Sequence, residues 1–274
     1  CVAMFKTIAD DRLKTLDNRL YELAQSGNLH ILAWTTTPWT LPSNTALTVG
    51  PNLDYVVVKT INDYTGEEIF VLLAEALAPK FFKLFGSEID GQKVTAHEQE
   101  GANKSTDHWS LITKVKGTDL VGIRYEQLLP YATPYKDADK AFQVIAGDFV
   151  TTEDGTGIVH TAPTFGADDM RVAQAAGVPG MLVKNENGDA VPLVDLRGRF
   201  VESMVDPVWG LGGEPVKADY LTDAEKEAAF EAQKESLKEY IPNLSNYLSV
   251  DERIALKLKL EGKAFKVEKY QHNY

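Results

Sequence analysis

The first part of the chain changes from helical to strand-like spacing of its apolar residues. Leucines recur at helical intervals within residues 10–26, which predicts an amphipathic helix that Gly27 is suited to end. Leu29–Trp34 is almost wholly apolar and predicts a short buried strand. Residues 35–44 contain two prolines, which exclude a helix interior and a central strand, so this segment is predicted to be a shaped loop.

The middle of the chain is predicted to consist mostly of strands. Apolar runs at 55–60 and 69–74 flank a turn-forming sequence and indicate a hairpin. Residues 74–85 have helical spacing and are followed by Gly86, which predicts a helix. Two further strands are expected, at residues 110–121 and 142–152.

A strong hairpin signal, Asp-Gly, stands at positions 154–155. We expect it to join one strand at 149–152 to another at 157–161. A helix is predicted over residues 165–177, where Gly177 would end it. Short strands and turns are expected over residues 181–219.

Residues 221–260 differ from the rest because they are charged and helical in character. Two capping boxes are expected to open helices here: Thr222 with Glu225, and Ser249 with Glu252. We interpret this region as a helical appendage within a single domain of residues 1–274. Residues 263–271 return to strand-like spacing.

Strand candidates lie near both ends of the chain, at 2–6 and 265–270, and could lie side by side. Neighbouring ends are what a domain inserted into another domain needs. Together these elements predict a mainly β fold with peripheral helices and a closed β-barrel-like core.

Composition and charge narrow the function classes. The chain has 274 residues, a formal net charge of −12 and a pI of about 4.9, so general nucleic-acid binding by a basic surface is not expected. The single cysteine, Cys1, excludes an internal disulfide and fits a reducing, cytoplasmic setting. No apolar run of membrane-spanning length and no signal peptide are present, and the absence of an initiator methionine suggests a fragment or processed chain.

The sequence lacks the parts of several common enzymes. It has no phosphate-binding loop, no dinucleotide fingerprint and no nucleophile elbow. The five histidines do not show metal-ligand spacing, so neither a metal nor a cofactor is expected. Kinase, dehydrogenase, serine hydrolase and zinc hydrolase activities are therefore disfavoured.

Two segments carry candidate chemistry. Residues 34–44 read WTTTPWTLPSN and offer hydroxyls on a proline-held loop, whereas residues 155–169 read GTGIVHTAPTFGADD and place a histidine at a strand end and carboxylates at a helix start. Together they could hold a small polar ligand. Each feature also has a structural interpretation, because threonines bond local backbone and acidic residues favour a first helical turn.

Both segments resemble motifs of the editing domains in isoleucyl-, valyl- and leucyl-tRNA synthetases. The first is similar to the threonine-rich peptide of these domains, and the second to their Gly-Thr-Gly-x-Val-His-x-Ala-Pro segment with its following aspartate. The resemblance covers residues 30–220 and 260–274. The helices at 10–26 and 221–260 match less well.

One position separates the members of this family. The valine and leucine enzymes usually carry Thr-Thr-Arg-Pro in the first motif, whereas this chain has Thr37 in place of the arginine and Trp39 after the proline. This is the isoleucine pattern. The two synthetase signatures for amino-acid activation are absent, so the resemblance implies an editing domain without an aminoacylation site.

The resemblance also implies roles for particular residues. Asp169 would hold the α-ammonium group of a misattached valine, and His160 would line the side-chain pocket and help to exclude isoleucine. Thr35, Thr36 and Thr37 would contact the substrate and the terminal adenosine and help to place the attacking water. Asn44 matches an asparagine of the family in the same loop. Trp34 would either pack near the adenine or belong to the core.

The implied partners are the 3′ end of isoleucine tRNA carrying valine and the rest of a parent synthetase, with its Rossmann catalytic domain and anticodon-binding domain. No membrane is involved, and a monomer is expected. Three alternatives stay open: a valyl- or leucyl-type editing domain, a non-catalytic tRNA-binding module, and an unrelated hydrolase with a β-barrel core.

Overall fold

The computed structural model describes residues 1–268, and its main feature is a mixed sheet of ten strands. The strands are β1 (Val2–Lys6), β2 (Leu29–Trp34), β3 (Ala46–Val49), β4 (Asp54–Ile61), β5 (Glu68–Ala74), β6 (Glu88–Ile89), β7 (Gln92–Lys93), β8 (Ala96–Glu98), β9 (His108–Lys116), β10 (Gln143–Ala146), β11 (Ile158–Thr161), β12 (Leu182–Lys184), β13 (Ala190–Pro192), β14 (Val205–Asp206), β15 (Gly210–Leu211) and β16 (Ala264–Lys266). The helices are α1 (Asp11–Leu16), α2 (Asn18–Gln25), α3 (Gly117–Leu120), α4 (Ala167–Ala175), α5 (Asp223–Ser236) and α6 (Val250–Leu260).

Strand β2 connects the two parts of the main sheet. Along one edge it pairs with β1, antiparallel. Along the other edge its first half pairs with β5 and its last residue, Trp34, pairs with Val159 of β11, both in parallel. The sheet therefore divides at β2 into β5-β4-β9-β8 and β11-β3-β10. The pairs β6-β7, β12-β13 and β14-β15 form separate two-stranded sheets.

An irregular segment, residues 122–126, bonds to both of its neighbouring strands. Arg124 forms an isolated bridge with Gln143 of β10, and Tyr125 forms one with Thr7, the residue after β1. The segment thus lies between β10, the last strand of the branch β11-β3-β10, and the end of β1.

The main core brings together residues of strands β1 to β5, β10 and β11 and of the helices packed against them. It includes Leu13 and Leu20 of α1 and α2, and Ile254 and Leu258 of α6, all nearly inaccessible to solvent. Burying an isoleucine or leucine side chain stabilises the fold by about 1.5–3 kcal/mol. A second cluster, built around Phe82, Trp109 and Phe265, lies on the opposite face of the sheet, where Val56 and Val58 alternate with Val57 of the main core. Helix α6 is thus packed into the core, although the region that contains it differs in composition.

Several sequence predictions are confirmed. Strand β2 has the predicted bounds, the hairpin β4-β5 is present, and α4 ends before Gly177, which adopts a φ of +69°. Both predicted capping boxes open their helices, α5 and α6. The end strand is also present as β16, antiparallel to β1, but its predicted residues 269–271 lie outside the described residues.

The helix predicted over 10–26 is two helices. Asp17 has an extended backbone between them, and its side chain accepts a hydrogen bond from Arg19 N at 2.8 Å. A residue that caps the second helix cannot continue the first, so the leucine periodicity spans a break.

The helix predicted over 74–85 is wrong. Strand β5 continues to Ala74, whose N–H donates to Thr156 O at 2.8 Å, and a 3₁₀ segment, Glu75–Lys80, follows. Pro79 has no N–H to donate within a longer helix. The apolar residues that suggested helical spacing, Phe82 and Phe85, instead pack in the second core cluster.

The hairpin predicted at 154–155 is also wrong. No strand is formed at 149–152, and β10 ends at Ala146, because β11 pairs with β3 and β2 instead. The turn does require glycine: Gly155 and Gly157 have φ values of +74° and +71°. The strand predicted over 110–121 ends at Lys116, before the single turn of α3. No helix within residues 1–268 is long and apolar enough to cross a membrane.

Gly157→Ala tests the close packing behind β11. An added Cβ would lie 2.3 Å from Ala74 Cβ, on a backbone with positive φ. Strain and overpacking together are expected to lower the free energy of unfolding by about 2–4 kcal/mol, measured by urea denaturation.

Gly66→Ala is the matched control, since Gly66 has a φ of +72° and nothing within 4 Å of its added Cβ. Its expected cost is about 1 kcal/mol, from backbone strain alone. Equal losses in the two variants would contradict the packing described for Gly157.

Candidate active site

The two motifs meet because their strands are parallel. Trp34 at the end of β2 pairs with Val159 of β11, so the chain leaves both strands at the same edge of the sheet. Side chains that follow the carboxyl ends of parallel strands converge there, which is where open parallel sheets place ligands. The threonine-rich segment and the segment from His160 to Asp169 therefore form one site.

The segment predicted to be a shaped loop is a turn followed by a short 3₁₀ segment, Pro38–Ser43. Thr35 Oγ1 accepts a hydrogen bond from Thr37 N at 3.0 Å. Thr37 O accepts from Thr40 N at 3.0 Å and from Thr40 Oγ1 at 2.9 Å. The prolines are compatible with this tight turn, because Pro38 occupies the first position of the segment, where no N–H is needed.

A chain of buried hydrogen bonds joins this segment to β11. Tyr125 OH donates to Asn44 Oδ1 at 2.6 Å, and Asn44 Nδ2 lies 2.9 Å from His160 Nδ1. His160 Nε2 lies 3.0 Å from Thr40 Oγ1, which itself donates to Thr37 O. The side chains of Tyr125, Asn44, His160 and Thr40 thus satisfy one another, as buried polar groups require.

The donors in this chain fix the protonation of His160. Asn44 Nδ2 also lies 2.9 Å from Ala46 O, so it is the amide nitrogen and can only donate. His160 Nδ1 is therefore an acceptor, and Nε2 carries the proton that is donated to Thr40. Burial lowers the pKa of His160 to about 4, so the imidazole is neutral near pH 7.

His160 is thus held beneath the threonine segment with both ring nitrogens occupied. It is 9% exposed. In this position it orients Thr40 and Asn44, and it offers no free nitrogen to act as a general base.

Asp169 lies in the first turn of α4, on the same edge as His160. Its Oδ2 accepts from Ala162 N at 2.8 Å, and it forms no ion pair with any residue in the described range. Half-burial raises the pKa of Asp169, opposed by the bond from Ala162 N and reinforced by the nearby charge of Asp168. One carboxylate oxygen is therefore left for a cationic ligand.

Trp34, Thr35 and Thr36 face a cleft of about 370 Å³. Its other wall is formed by residues 149–159, where Gly155 lies so close to Trp34 that an added Cβ would be 3.0 Å from the indole ring. Neither His160 nor Asp169 lines this cleft. The predicted residues therefore form two neighbouring parts, the cleft and the buried chain, joined by the threonine segment.

Sequence reasoning missed three residues of this site. Thr40 and Tyr125 complete the buried chain, and Asp251 of α6 accepts a hydrogen bond from Trp39 N at 2.7 Å. Burial raises the pKa of Asp251 to about 6. The only sequence signal near Asp251 is the capping box of α6, and a capping box does not predict a contact with a residue 212 positions earlier in the chain.

Trp39 also connects the two motifs. Its ring packs edge-on against Phe165, with centroids 4.9 Å apart, four residues before Asp169. Residues 1–268 contain no group of three or more His, Cys, Asp or Glu side chains that could hold a metal ion.

Comparison with known proteins gives relatives for nearly the whole chain. It is 50% identical over 253 residues to the isoleucine–tRNA ligase of Cytophaga hutchinsonii, a match that covers 90% of this chain and 20% of that relative. It is 40% identical over 276 residues to the isoleucine–tRNA ligase of Porphyromonas gingivalis, covering 100% of this chain and 22% of that relative. No family model matches the chain.

Among solved structures, a leucyl-tRNA synthetase CP1 domain matches with a TM-score of 0.50 and 15% identity, over 96% of both chains. The fold is therefore that of a CP1 editing domain of the class I aminoacyl-tRNA synthetases. Within this class the chain belongs with the isoleucyl-tRNA synthetases, and it spans about a fifth of the length of the curated relatives that it matches. The resemblance seen in the sequence is confirmed.

The neutral state of His160 gives a testable pH dependence. Because its folded pKa is about 4, below the usual 6.5, the stability that depends on neutral His160 is present above pH 6.5 and is lost as the pH falls towards 4. The loss is expected to reach about 3 kcal/mol. Urea denaturation of wild type and His160→Gln across this range measures it.

The free energy of unfolding of His160→Gln is expected to fall by about 3 kcal/mol less than that of the wild type over this pH range. His108→Gln on β9 is the control for the loss of a histidine elsewhere, and its pH dependence is expected to follow the wild type. Parallel curves for wild type and His160→Gln would contradict a buried neutral imidazole.

Proposed function

We propose that the chain hydrolyses valine that has been wrongly attached to isoleucine tRNA, and that it excludes isoleucine by size. The observation that carries this proposal is Asp169, a half-buried carboxylate without an ion-pair partner in the described range, at the edge where both motifs meet. The identity of 40–50% to isoleucine–tRNA ligases supports the same assignment.

The need for such a site is physical. Isoleucine exceeds valine by one methylene, and burying a methylene contributes only about 0.8 kcal/mol. This limit is long recognised for the isoleucine and valine enzymes, which use a second, hydrolytic pocket that admits the smaller amino acid.

The site offers a group for each part of the ester. Asp169 binds the α-ammonium of valine by a charge-assisted hydrogen bond. Trp34, Thr35 and Thr36 hold the terminal adenosine in the cleft of about 370 Å³. Thr37 contacts the ester and the attacking water.

Two further residues shape this arrangement. His160 and Asn44, which are hydrogen-bonded to each other, set the position of the threonine segment and the size of the amino-acid pocket.

The reaction is attack by water on the ester carbonyl. The water oxygen bonds to the carbonyl carbon, the bond to the ribose oxygen breaks, and that oxygen takes up a proton, which yields free valine and tRNA. Placement of water beside the ester supplies much of the acceleration, and hydrogen bonds stabilise the developing oxyanion. No protein nucleophile takes part, and the neighbouring ribose hydroxyl is available to guide the proton.

The strand arrangement fits a closed barrel for this domain. In this proposal, the isolated bridges of Arg124 with Gln143 of β10 and of Tyr125 with Thr7 after β1 complete a ring of β1, β2, β11, β3 and β10. A closed ring holds the ends of β2 and β11 at a fixed separation, which a site built on both strands requires.

The chain is expected to act in the cytoplasm as a single editing domain of a longer synthetase, beside a Rossmann catalytic domain and an anticodon-binding domain. The alternative of a valyl- or leucyl-type editing domain is disfavoured by Thr37 and Trp39. A purely tRNA-holding module is disfavoured by the net charge of −12.

Asp169→Asn tests the proposed function. Loss of the carboxylate charge removes the ammonium contact but keeps an oxygen that can accept from Ala162 N. We expect kcat/KM for valine release from valylated isoleucine tRNA to fall about 10- to 100-fold, measured by deacylation of labelled valine in this chain and within the longer synthetase.

Asp168→Asn is the control, since this exposed neighbour pairs with Arg171 and is expected to leave valine release unchanged. Equal activity of Asp169→Asn and Asp168→Asn, or equal release of valine and isoleucine by the wild type, would contradict the proposal.

A further inference from the structure

The start of the 3₁₀ segment Pro38–Ser43 is capped by a side chain from a distant helix. Thr37 is its N-cap residue, but the Thr37 side chain makes no capping hydrogen bond. A threonine at the N-cap of an α-helix ordinarily accepts from the N–H two or three residues later. Here Thr40 N bonds to Thr37 O, and Trp39 N donates to Asp251 Oδ1 at 2.7 Å.

Asp251 is rigidly placed for this contact. It is the second residue of α6, directly inside the capping box formed by Ser249 and Glu252. Val250 and Ile254, on either side of it, are buried in the main core. The carboxylate is therefore delivered to the threonine segment by a packed helix rather than by a mobile loop.

The surroundings of Asp251 show that its charge is costly. Burial is the main cause of its raised pKa, and Glu252 adds to the rise, whereas the bond from Trp39 N, the amino group of Cys1 and Lys217 oppose it. It forms no ion pair with any residue of the described range. A half-buried carboxylate that accepts from a backbone N–H without an ion-pair partner points to a role beyond stability.

The Thr37 hydroxyl, which the cap from Asp251 leaves free, explains that role. With Trp39 N and Thr40 N both satisfied by other groups, the nearest side-chain partner of Thr37 Oγ1 is Thr35 Oγ1, at a long 3.5 Å. Thr37 Oγ1 thus accepts no hydrogen bond from a backbone N–H at the start of the 3₁₀ segment. Its lone pairs and proton are available to a ligand at the edge where Asp169 lies.

We propose that Asp251 is a positioning residue: it caps the 3₁₀ segment in place of Thr37 and so keeps the Thr37 hydroxyl free for the aminoacyl ester and its attacking water. The role of Thr37 in this inference rests on the proposed function. The claim that Asp251 caps the segment in place of Thr37 rests only on the geometry of Asp251, Trp39 and Thr37.

The kinetic test uses Asp251→Ala, Asp251→Asn and a double-mutant cycle with Thr37→Val, measured as valine release from valylated isoleucine tRNA. Asp251→Ala is expected to lower kcat about 10-fold or more with KM within about twofold, because Thr37 turns to cap Trp39 N. Asp251→Asn keeps an acceptor and is expected to stay within about threefold of wild type. Asp223→Ala, an exposed carboxylate in the first turn of α5, is the control.

The cycle separates positioning from a general loss of structure. In the Thr37→Val background, Asp251→Ala is expected to lower kcat by less than about threefold, since the hydroxyl that it would misplace is gone. An equal loss in both backgrounds, or an unchanged kcat in Asp251→Ala, would overturn the inference.

Amide hydrogen exchange at Trp39 tests the cap without activity. Exchange is expected to be slow in wild type and Asp251→Asn, faster in Asp251→Ala, and fastest in Asp251→Ala combined with Thr37→Val, because Thr37 replaces the lost cap only in the single variant. Equal hydrogen-exchange rates in Asp251→Ala and in Asp251→Ala combined with Thr37→Val would show that Thr37 does not replace Asp251 as the cap, which refutes the inference. If the wild type releases no valine but the hydrogen-exchange rates follow this order, the proposed function fails, whereas the capping by Asp251 in place of Thr37 stands.

Discussion

A buried imidazole with both nitrogens occupied is the interaction on which the site depends. His160 accepts from Asn44 and donates to Thr40, so one ring joins strand β11 to the middle and to the end of the threonine-rich segment. Because the ring is desolvated, an unpaired nitrogen would cost about 1–3 kcal/mol, and this penalty enforces the geometry. The neutral state that burial imposes keeps positive charge out of a site whose proposed ligand carries an ammonium group.

The fold serves this interaction by bringing distant segments to one edge. Parallel pairing of Trp34 with Val159 sends both motifs off the same side of the sheet. Close packing behind Gly157 and beneath Gly155 places the second motif against β2 and β5. Helix α6 then supplies Asp251 from the far end of the chain, so a region of different composition becomes part of the site.

The sequence predicted the local features and the pairing of the two end strands, but it missed the long-range contacts of the site. Capping boxes at Thr222 and Ser249 depend on neighbours three residues apart, and both are present. The motif residues were found through resemblance, since threonines and a lone histidine have ordinary structural uses. Residues 74–85 were misjudged because burial against Trp109 imitated helical spacing. Asp251 could not be found, because its partner at Trp39 is defined only by tertiary packing.

The protonation state of His160 tests this account most directly. Nitrogen NMR of the protein labelled at the histidine ring nitrogens reports which nitrogen carries the proton. Between pH 7 and pH 5 the account predicts a neutral ring with the proton on Nε2 alone, since the pKa of His160 is about 4. A proton on Nδ1, or a doubly protonated ring near pH 7, would contradict the hydrogen-bond chain that joins the two motifs.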